Sequence, residues 1–426
     1  MTQLSDDCFA NDGQLMPLAE ALAILDDRLV TVAPIETVAL GAACGRILAD
    51  SVVASDDVPP HDKSAVDGFA VYFDDLSPDD PTELPITGRI AAGHPLGRLA
   101  QRGEALRVFT GAVMPHGAND SGPDTVLMQE DCALEGEVVR IPPGVARGAN
   151  RRNAGEDIVQ GTTVLDAGRR LRPEDIGLLA SLGRSQVAVH AALRVALFST
   201  GDELGDVGRP LGPGTIFDSN RYTLAALLTG LGCRVTDLGI VADDRDTLAS
   251  ALRDAAADHD LLMTSGGVSV GEEDHVRPVV EFLGGLTLWR LAIKPGRPVA
   301  LGYIDDNGRA VSFVGLPGNP AAVIVTFLRF ARPLILRLSG AATTAPVLFS
   351  VRAGFAHDKK PGRREFVRCR LVAGEDGGMV AVKAGRQGAG ILSTVSAADG
   401  LVELPEEMTY VENGAAVDFL PFNEVR

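Results

Sequence analysis

Residues 194–340 constrain the fold of this chain most strongly, because apolar, strand-like runs alternate there with helical stretches. The strand-like runs are LRVALFST, CRVTDLGIV, DLLMTSGG, LTLWRLAI and AVSFVGL, and the helical stretches include 220–231, 245–257 and 319–338. Alternation of this kind predicts a mostly parallel sheet with helices on both faces. Ligands of such sheets bind beyond the carboxyl ends of the strands, so we expect the chemistry of the protein in the loops after these runs.

The rest of the chain predicts three further domains around this α/β segment. Residues 17–28 and 173–183 have the apolar spacing of helices, and another helix is expected from 37 to 48. Short apolar runs separated by Gly, Pro and Asp, typical of β structure, fill 66–150 and the chain beyond Pro346. The expected fold is a multidomain α/β protein with an elongated helical linker domain (1–50 and 155–190), an inserted all-β domain (51–154), a three-layer α/β domain (191–340) and a C-terminal β-barrel or sandwich (341–426).

The acidic composition narrows the possible partners. The chain has 57 acidic and 39 basic residues and therefore a net charge of −18. The electrostatic field of this charge repels nucleic acid and acidic membrane surfaces. An anionic ligand must therefore be held by local cations, backbone amides or a bound metal. No run is long enough for a membrane helix, and the acidic N-terminus lacks the apolar core of a secretory signal. Five scattered cysteines without a C-x-x-C pair favour a reducing cytoplasm.

Three loops rich in small residues follow predicted strands and are the first candidates for a ligand site. The SGGVSVG loop, residues 265–271, lies between a buried run and a helix expected near Glu272. Its glycines and the N–H groups at the start of that helix can cradle a phosphate. The loops 199–203 and 315–320 follow two other runs, and in a parallel sheet the three loops share one edge. Each loop alone is equally explained as a tight turn without a ligand.

Charged side chains crowd the same predicted edge. Glu203, Asp243 and Asp274 would repel an anionic ligand unless a divalent cation such as Mg²⁺ lay between them and the ligand. Each acid is also explained as a complement to a helix dipole. Lys294 and Arg297, in IKPGRP, predict an oxyanion clamp on a loop stiffened by prolines, with a solvated surface loop as the alternative.

Other residues and motifs carry weaker signals. Asp62, Asp67 and Thr110 stand in turn-like segments, and turn formation alone explains them. The sequence contains no P-loop or dinucleotide fingerprint, no G-x-S-x-G and no H-E-x-x-H motif. The residues taken singly therefore indicate an anion site without choosing a reaction.

Ten sequence blocks, taken together and in order, resemble the molybdopterin molybdenumtransferases, whose relatives include the E domain of gephyrin. They span nearly the whole chain: VPPHDKSAVDGFAV, TGAVMPHGA with DTVLMQED, NRRNAGEDI, RPEDIGLLASLG, VALFSTGDEL, FDSNR, SGGVSVGEED, WRLAIKPGRP, GLPGNP and GILSTVSAADGLVELP. The resemblance implies that adenylylated molybdopterin and molybdate give molybdenum cofactor and AMP with the help of Mg²⁺. It also implies an elongated homodimer of four-domain subunits, whose cleft lies between the α/β domain of one subunit and the inserted β domain of the other.

Matching positions carry the functional residues of the family onto this chain. The resemblance implies catalytic roles for Asp62, Thr110, Glu203, Asp243 and Asp274, of which Glu203, Asp243 and Asp274 would also hold the metal. It implies substrate-binding roles for Ser265, Gly266, Gly267, Ser269, Gly271, Lys294, Arg297, Pro317, Gly318, Asn319 and Pro320. Arg364 and Gln387 are the candidates from the C-terminal domain. The implied reaction requires no protein nucleophile, which agrees with the missing triads.

The chain departs from the family pattern at two places, and two other functions stay open. Residues 119–123 lengthen a family loop, and His61 and Lys63 replace the commoner Phe and Asn beside Asp62. The alternatives are a peptide-binding scaffold like gephyrin and a molybdopterin adenylyltransferase, although the β domains and the blocks around residues 62 and 110 disfavour the latter. The implied partners are a molybdopterin adenylyltransferase and downstream molybdoenzymes or cofactor-maturation proteins.

Overall fold

The computed structural model of the protein describes residues 15–267 and 275–425, apart from the side chains of residues 120, 288 and 289. These residues form two compact units. Unit 1 comprises the described residues up to Asp50, Ala167–Arg172 and those from Gln186 onwards, whereas unit 2 comprises Ser51–Asp166 and Pro173–Ser185. The four-domain division expected from the sequence stays a prediction.

Most helices of the described residues belong to unit 1. The α-helices are Leu18–Arg28, Pro173–Ser181, Ser219–Gly230, Arg245–Asp258, Val276–Leu283, Pro320–Thr326, Arg332–Leu338 and Leu392–Ser396. A π-helical stretch, Phe327–Ala331, joins the sixth of these to the seventh, and 3-10 turns occur at Leu40–Ala42, Phe73–Asp75, Ala118–Asp120, Gln129–Asp131 and Phe422–Glu424. Within this described part of the chain, no helix combines the length and apolar composition needed to cross a membrane.

A six-stranded mixed sheet forms the centre of unit 1. Its strands, in spatial order, are Arg234–Ile240, Arg194–Ser199, Leu261–Ser265, Arg309–Leu316, Pro298–Asp306 and Gly284–Arg290. The first four strands are parallel, and the last two extend the sheet by antiparallel pairing. The mostly parallel sheet is therefore confirmed, but the strand Pro298–Asp306 was not expected.

Both faces of this sheet are covered by helices, which confirms the three-layer arrangement. Successive residues of a strand point to opposite faces, and in the strand Arg194–Ser199 the buried side chains of Leu197 and Phe198 accordingly join two different cores. Burying such a side chain stabilises the fold by about 1.5–3 kcal/mol. The helices that cover the first core are Ser219–Gly230 and Pro320–Thr326, and those that cover the second are Arg245–Asp258 and Val276–Leu283.

A closed five-stranded barrel forms the C-terminal part of unit 1. Its strands, in order around the barrel, are Arg364–Ala373, Met379–Lys383, Phe349–Ala353, Ala416–Pro421 and Gly400–Leu404, the last of which pairs with the first. The short strand Ile293–Lys294 pairs with the first barrel strand, so that Lys294 stands opposite Glu365. This pairing fixes a loop of the mixed sheet against the barrel.

One predicted element of unit 1 is wrong. In place of the helix expected from 37 to 48, Ile35–Ala39 is a strand that pairs with Gln186–His190, and a 3-10 turn follows it. The β-branched residues in IETVA favour an extended chain once such a partner is present. The remaining short pairs of unit 1 are Leu204–Gly205 with Ile216–Phe217 and His357–Asp358 with Tyr410–Val411.

Unit 2 is built around a second six-stranded sheet, which confirms the β structure expected for this segment. In spatial order its strands are Thr125–Met128, Gly68–Val71, Ala105–Val108, Thr82–Ile90, Val138–Ile141 and Ala133–Glu135. Val52–Val53 also pairs with Thr163–Leu165, and Lys63–Ser64 pairs with Arg151–Arg152. Two register pairs matter for the site: Gly68 stands opposite Val108, and Arg89 stands beside Arg107.

Candidate active site

A cavity of about 780 Å³ lies in unit 1 where the strands Leu261–Ser265 and Arg309–Leu316 end. This volume is in the range of sites for small organic ligands. Much of the lining comes from residues that the sequence analysis singled out: Glu203, Gly266, Gly267, Lys294, Arg297, Pro317, Gly318, Asn319 and Pro320. The structure brings these residues together around one cavity, while their individual roles stay predictions.

The backbone of the glycine loop forms one wall of the cavity. Gly267 has a φ of +65°, and a Cβ atom there would lie 2.5 Å from Val276 Cγ2 and 2.9 Å from Thr200 Cγ2. A side chain would therefore be both strained and crowded, so only glycine fits at this position of the cavity wall. Three further predicted residues of this segment, Ser269, Gly271 and Asp274, lie outside the described residues.

The GLPGNP loop forms a neighbouring wall and is held by side-chain hydrogen bonds. Asn220 Nδ2 donates to Ser265 Oγ over 2.9 Å and to the Gly318 carbonyl over 2.7 Å. Ser265 Oγ in turn donates to the Pro317 carbonyl over 3.1 Å. Ser265 is buried and does not line the cavity. Its hydroxyl therefore supports the loop, and the substrate contact predicted for it stays a prediction.

Two cations, Lys294 and Arg297, stand on the wall next to the barrel. Lys294 Nζ donates to Glu365 Oε1 over 2.8 Å, and the Glu365 carboxylate is almost completely buried. His357 Nε2 lies 3.0 Å from the same oxygen. A carboxylate held in this way fixes the position of the Lys294 ammonium group, while about half of the Lys294 side chain is exposed and the residue lines the cavity. Arg297 is exposed and also lines the cavity.

The predicted acidic residues are only partly described. Glu203 lines the cavity, whereas Asp243 does not, although its Oδ1 atom is buried without a hydrogen-bond partner. Among the described residues, no group of three His, Cys, Asp or Glu side chains is arranged to hold a metal ion. Because Asp274 lies outside the described part of the chain, the predicted metal trio stays a prediction.

Of the two candidate residues from the C-terminal domain, the structure places one at the cavity. Gln387 lines the cavity together with Ala389 and Gly390. Arg364, the other candidate, does not line it and instead binds Glu406 over 3.1 Å.

Sequence reasoning missed Arg368, which is fully buried beneath this loop. Its Nη2 donates to the carbonyls of Arg386 and Gly388, over 3.2 and 3.1 Å, and its backbone N–H donates to Gln387 Oε1 over 2.9 Å. An arginine between Val367 and Cys369 was the available signal, because a charged residue needs polar partners when it is buried within a strand.

In unit 2 the structure pairs Thr110 with Asp67 rather than with Asp62. Both the backbone N–H and the hydroxyl of Thr110 donate to Asp67 Oδ1 over 2.8 Å. These two bonds lower the pKa of Asp67, with a smaller contribution from Arg107. Asp62 accepts from the Ala154 N–H over 2.8 Å and forms an ion pair with Arg151 over 3.1 Å. The catalytic roles predicted for Asp62 and Thr110 stay predictions, but the contacts favour Asp67 as the partner of Thr110.

The Thr110 contact is testable by titration. We expect Thr110→Val to raise the pKa of Asp67 toward its ordinary value, since the variant keeps only the backbone donor. The lowered pKa favours the ionised carboxylate in the folded state, so this stabilisation is present above the ordinary aspartate pKa and is lost as the pH falls through the lowered one. NMR titration of the Asp67 carboxyl carbon measures the shift. Thr110→Ser, which keeps both donors, is the control, and an unchanged pKa in Thr110→Val would contradict the assignment.

Comparisons with known proteins agree with this arrangement of sheet, barrel and inserted β unit. Three family models match: the MoeA N-terminal region (domain I and II) over residues 16–183, the probable molybdopterin binding domain over 196–337 and the MoeA C-terminal region (domain IV) over 350–422. A molybdopterin molybdenumtransferase from Haemophilus influenzae is 36% identical over 413 residues, which are 96% of this chain and 100% of that protein. A relative of the same name from Nostoc sp. is 38% identical over 90% of this chain and 87% of its own length.

A solved structure matches over a similar length. The crystal structure of the molybdopterin biosynthesis moeA protein from Pyrococcus horikoshii OT3 has a TM-score of 0.80 and 28% sequence identity, and the match covers 96% of this chain and 100% of that one. The sequence and structure matches extend over nearly the whole chain, so the similarity is not limited to one shared domain. The chain belongs to the molybdopterin molybdenumtransferase family, whose members are transferases of molybdenum-cofactor biosynthesis.

Proposed function

We propose that this protein transfers molybdenum from molybdate to adenylylated molybdopterin, releases AMP and forms the molybdenum cofactor in a Mg²⁺-dependent reaction. The observation that carries the proposal is the unit 1 cavity, which is lined by two cationic side chains, a glycine loop and a carboxylate. Both reactants are oxyanions, which repel each other in water. A site that holds them must supply fixed positive charge, and Lys294 and Arg297 supply it at the cavity wall.

The residues of the chain act by positioning and electrostatics. Lys294 and Arg297 bind oxyanion oxygens, and the buried Glu365 carboxylate keeps the Lys294 ammonium group in place. Gly266 and Gly267 line the cavity, and their positive φ angles and close packing against Thr200 and Val276 keep this wall free of side chains. Proximity of two bound reactants accounts for a large acceleration without a protein nucleophile.

The donors on the acidic side fit a hard divalent cation. Glu203 presents carboxylate oxygens to the cavity, and the buried Oδ1 atom of Asp243 lacks a hydrogen-bond partner. Carboxylate oxygens of this kind are the protein ligands that Mg²⁺ prefers. Glu203, Asp243 and Asp274 would hold the ion, which would neutralise charge between these acids and a substrate phosphate.

The direct test is AMP release by the purified protein. With adenylylated molybdopterin, Mg²⁺ and molybdate, we expect AMP to appear in proportion to molybdate consumed. Glu203→Gln should lower turnover most at limiting Mg²⁺ without a change in the unfolding temperature, because Glu203 is exposed and takes no part in the core. Glu281→Gln, at an exposed helix position, is the matched control. AMP release without molybdate, ATP consumption to make the adenylate, or equal Mg²⁺ dependence of wild type and Glu203→Gln would contradict the proposal.

The assembly and surroundings of the protein are also proposals. We expect a homodimer in the cytoplasm that receives its pterin from a molybdopterin adenylyltransferase and passes the cofactor to molybdoenzymes or maturation proteins. Family membership is the support for this expectation. Sedimentation equilibrium of the full chain, of 44.5 kDa, tests the dimer.

A further inference from the structure

Two arginines in unit 2 stand side by side, and neither forms a direct ion pair with a described residue. Arg89 and Arg107 are register neighbours on the paired strands Thr82–Ile90 and Ala105–Val108. Register partners lie on the same face of a sheet, and like charges at such positions destabilise the pairing. Within the described residues, no carboxylate lies within 4.0 Å of either guanidinium group. The charge of Arg107 contributes to the lowered pKa of the Asp67 carboxyl, so one nearby acid partly offsets the repulsion between the two guanidinium groups.

Both guanidinium groups are held against one aromatic ring. The Cζ atom of Arg89 lies 4.5 Å from the centre of the Phe109 ring, and that of Arg107 lies 5.7 Å from it. Stacking on a ring orders a guanidinium group while leaving its N–H donors available to a ligand. The next residue is Thr110, which binds Asp67, so the pair of arginines adjoins the contact described above.

Other arginines of unit 2 show that acids were available to pair with cations. Arg98 binds Glu104 over 2.8 Å, and Arg102 binds Asp75 over 2.8 Å. Arg147 also stacks on a ring, 4.7 Å from the centre of Phe73, but its guanidinium group binds Asp124 over 2.6 Å. Arg140, Arg152 and Arg184 of unit 2 also have no described carboxylate within 4.0 Å, so what distinguishes Arg89 and Arg107 is the Phe109 ring that they share.

We infer that Arg89, Arg107 and Phe109 form an oxyanion platform that binds a phosphate ester or phosphoanhydride. Two planar guanidinium groups on one sheet face match the paired oxygens of a phosphate, and a bound anion relieves the repulsion between them. The anion site rests only on the contacts within unit 2.

The test is calorimetric binding of inorganic pyrophosphate to the full chain at low ionic strength. The starting protein carries Lys294→Gln and Arg297→Gln, so that the cations of the unit 1 cavity do not contribute. We expect one pyrophosphate per chain, bound at least about 10-fold more weakly when Arg107→Gln is added, which corresponds to the loss of one charged hydrogen bond. Arg107→Lys, which keeps the charge but loses the planar fork, is expected to bind with intermediate affinity.

Arg147→Gln is the matched control, because it also removes a ring-stacked arginine from unit 2 but one that is already ion-paired. Affinity should be unchanged by this substitution. No pyrophosphate binding to the starting protein, or equal losses in the Arg107 and Arg147 variants, would overturn the platform. No pterin or molybdate enters the experiment, so this result and the AMP-release result fail independently.

Discussion

The double variant Lys294→Gln/Arg297→Gln is expected to lose at least about 100-fold in kcat/KM for molybdate, since each lost charged hydrogen bond costs roughly 10-fold or more. These two residues supply the cationic side chains among the described residues that line the cavity. In a protein of net charge −18, long-range attraction does not compensate for their loss. Steady-state AMP release at varied molybdate concentration measures the effect.

The control for this variant is Arg277→Gln. Arg277 belongs to unit 1 but lies on the exposed side of the helix Val276–Leu283, where it pairs with Glu281 over 2.9 Å. Its removal changes the net charge of the unit by one without touching the cavity, and we expect kcat/KM to change by less than about 2-fold. A loss below 10-fold in the double variant, or a similar loss in the control, would contradict the role of the cavity cations.

Arg221→Met is expected to lower the free energy of unfolding by about 3–5 kcal/mol. Arg221 is buried and binds three acids: Asp218 over 3.0 Å, Asp237 over 2.5 Å and Asp206 over 2.7 Å. Burial alone would lower the pKa of Arg221, but the bonds to Asp237 and Asp218 raise it above its ordinary value. The guanidinium group therefore stays charged, and its removal leaves the buried Asp218 carboxylate without a counter-charge.

Urea denaturation at neutral pH measures the loss, and two further variants define its origin. Arg221→Met with Asp218→Asn should recover part of the stability, because the uncompensated charge is removed as well. Arg277→Met, at an exposed ion pair, should cost no more than about 1 kcal/mol. A loss below 1 kcal/mol in Arg221→Met, or no recovery in the double variant, would show that the cluster does not stabilise the helix Ser219–Gly230 as described.

Local patterns predicted the elements whose partners are close in the chain. The helices Leu18–Arg28, Pro173–Ser181 and Arg245–Asp258 follow from apolar spacing. The segment IETVA was misassigned because its partner, Gln186–His190, lies about 150 residues away, and apolar spacing contains no information about such a partner. The strand Pro298–Asp306 is an exception, because its partners Gly284–Arg290 and Arg309–Leu316 are its neighbours in the chain. It was missed because the Pro, Gly and Asp residues in PVALGYIDD weaken the strand pattern.

The unit 1 cavity and the Thr110–Asp67 contact also differ in how far the sequence predicts them. Loops after parallel strands meet at one edge, so the strand order alone predicted much of the lining of the unit 1 cavity. The Thr110–Asp67 contact depends on register instead. Gly68 stands opposite Val108 in the antiparallel pair, which brings the residues just beyond them together. A shift of the register by one residue would break this contact, and no feature of either segment specifies the register.

The central claim is that the oxyanion reactants bind at the strand ends of the mixed sheet, against Lys294 and Arg297. The most direct measurement is anomalous diffraction at the molybdenum edge from crystals of the protein soaked in molybdate. The account predicts an anomalous peak inside the unit 1 cavity within hydrogen-bond distance of Lys294 Nζ or the Arg297 guanidinium group, and no such peak in the double variant. A peak at another position in the wild-type protein, with none in the cavity, would contradict it.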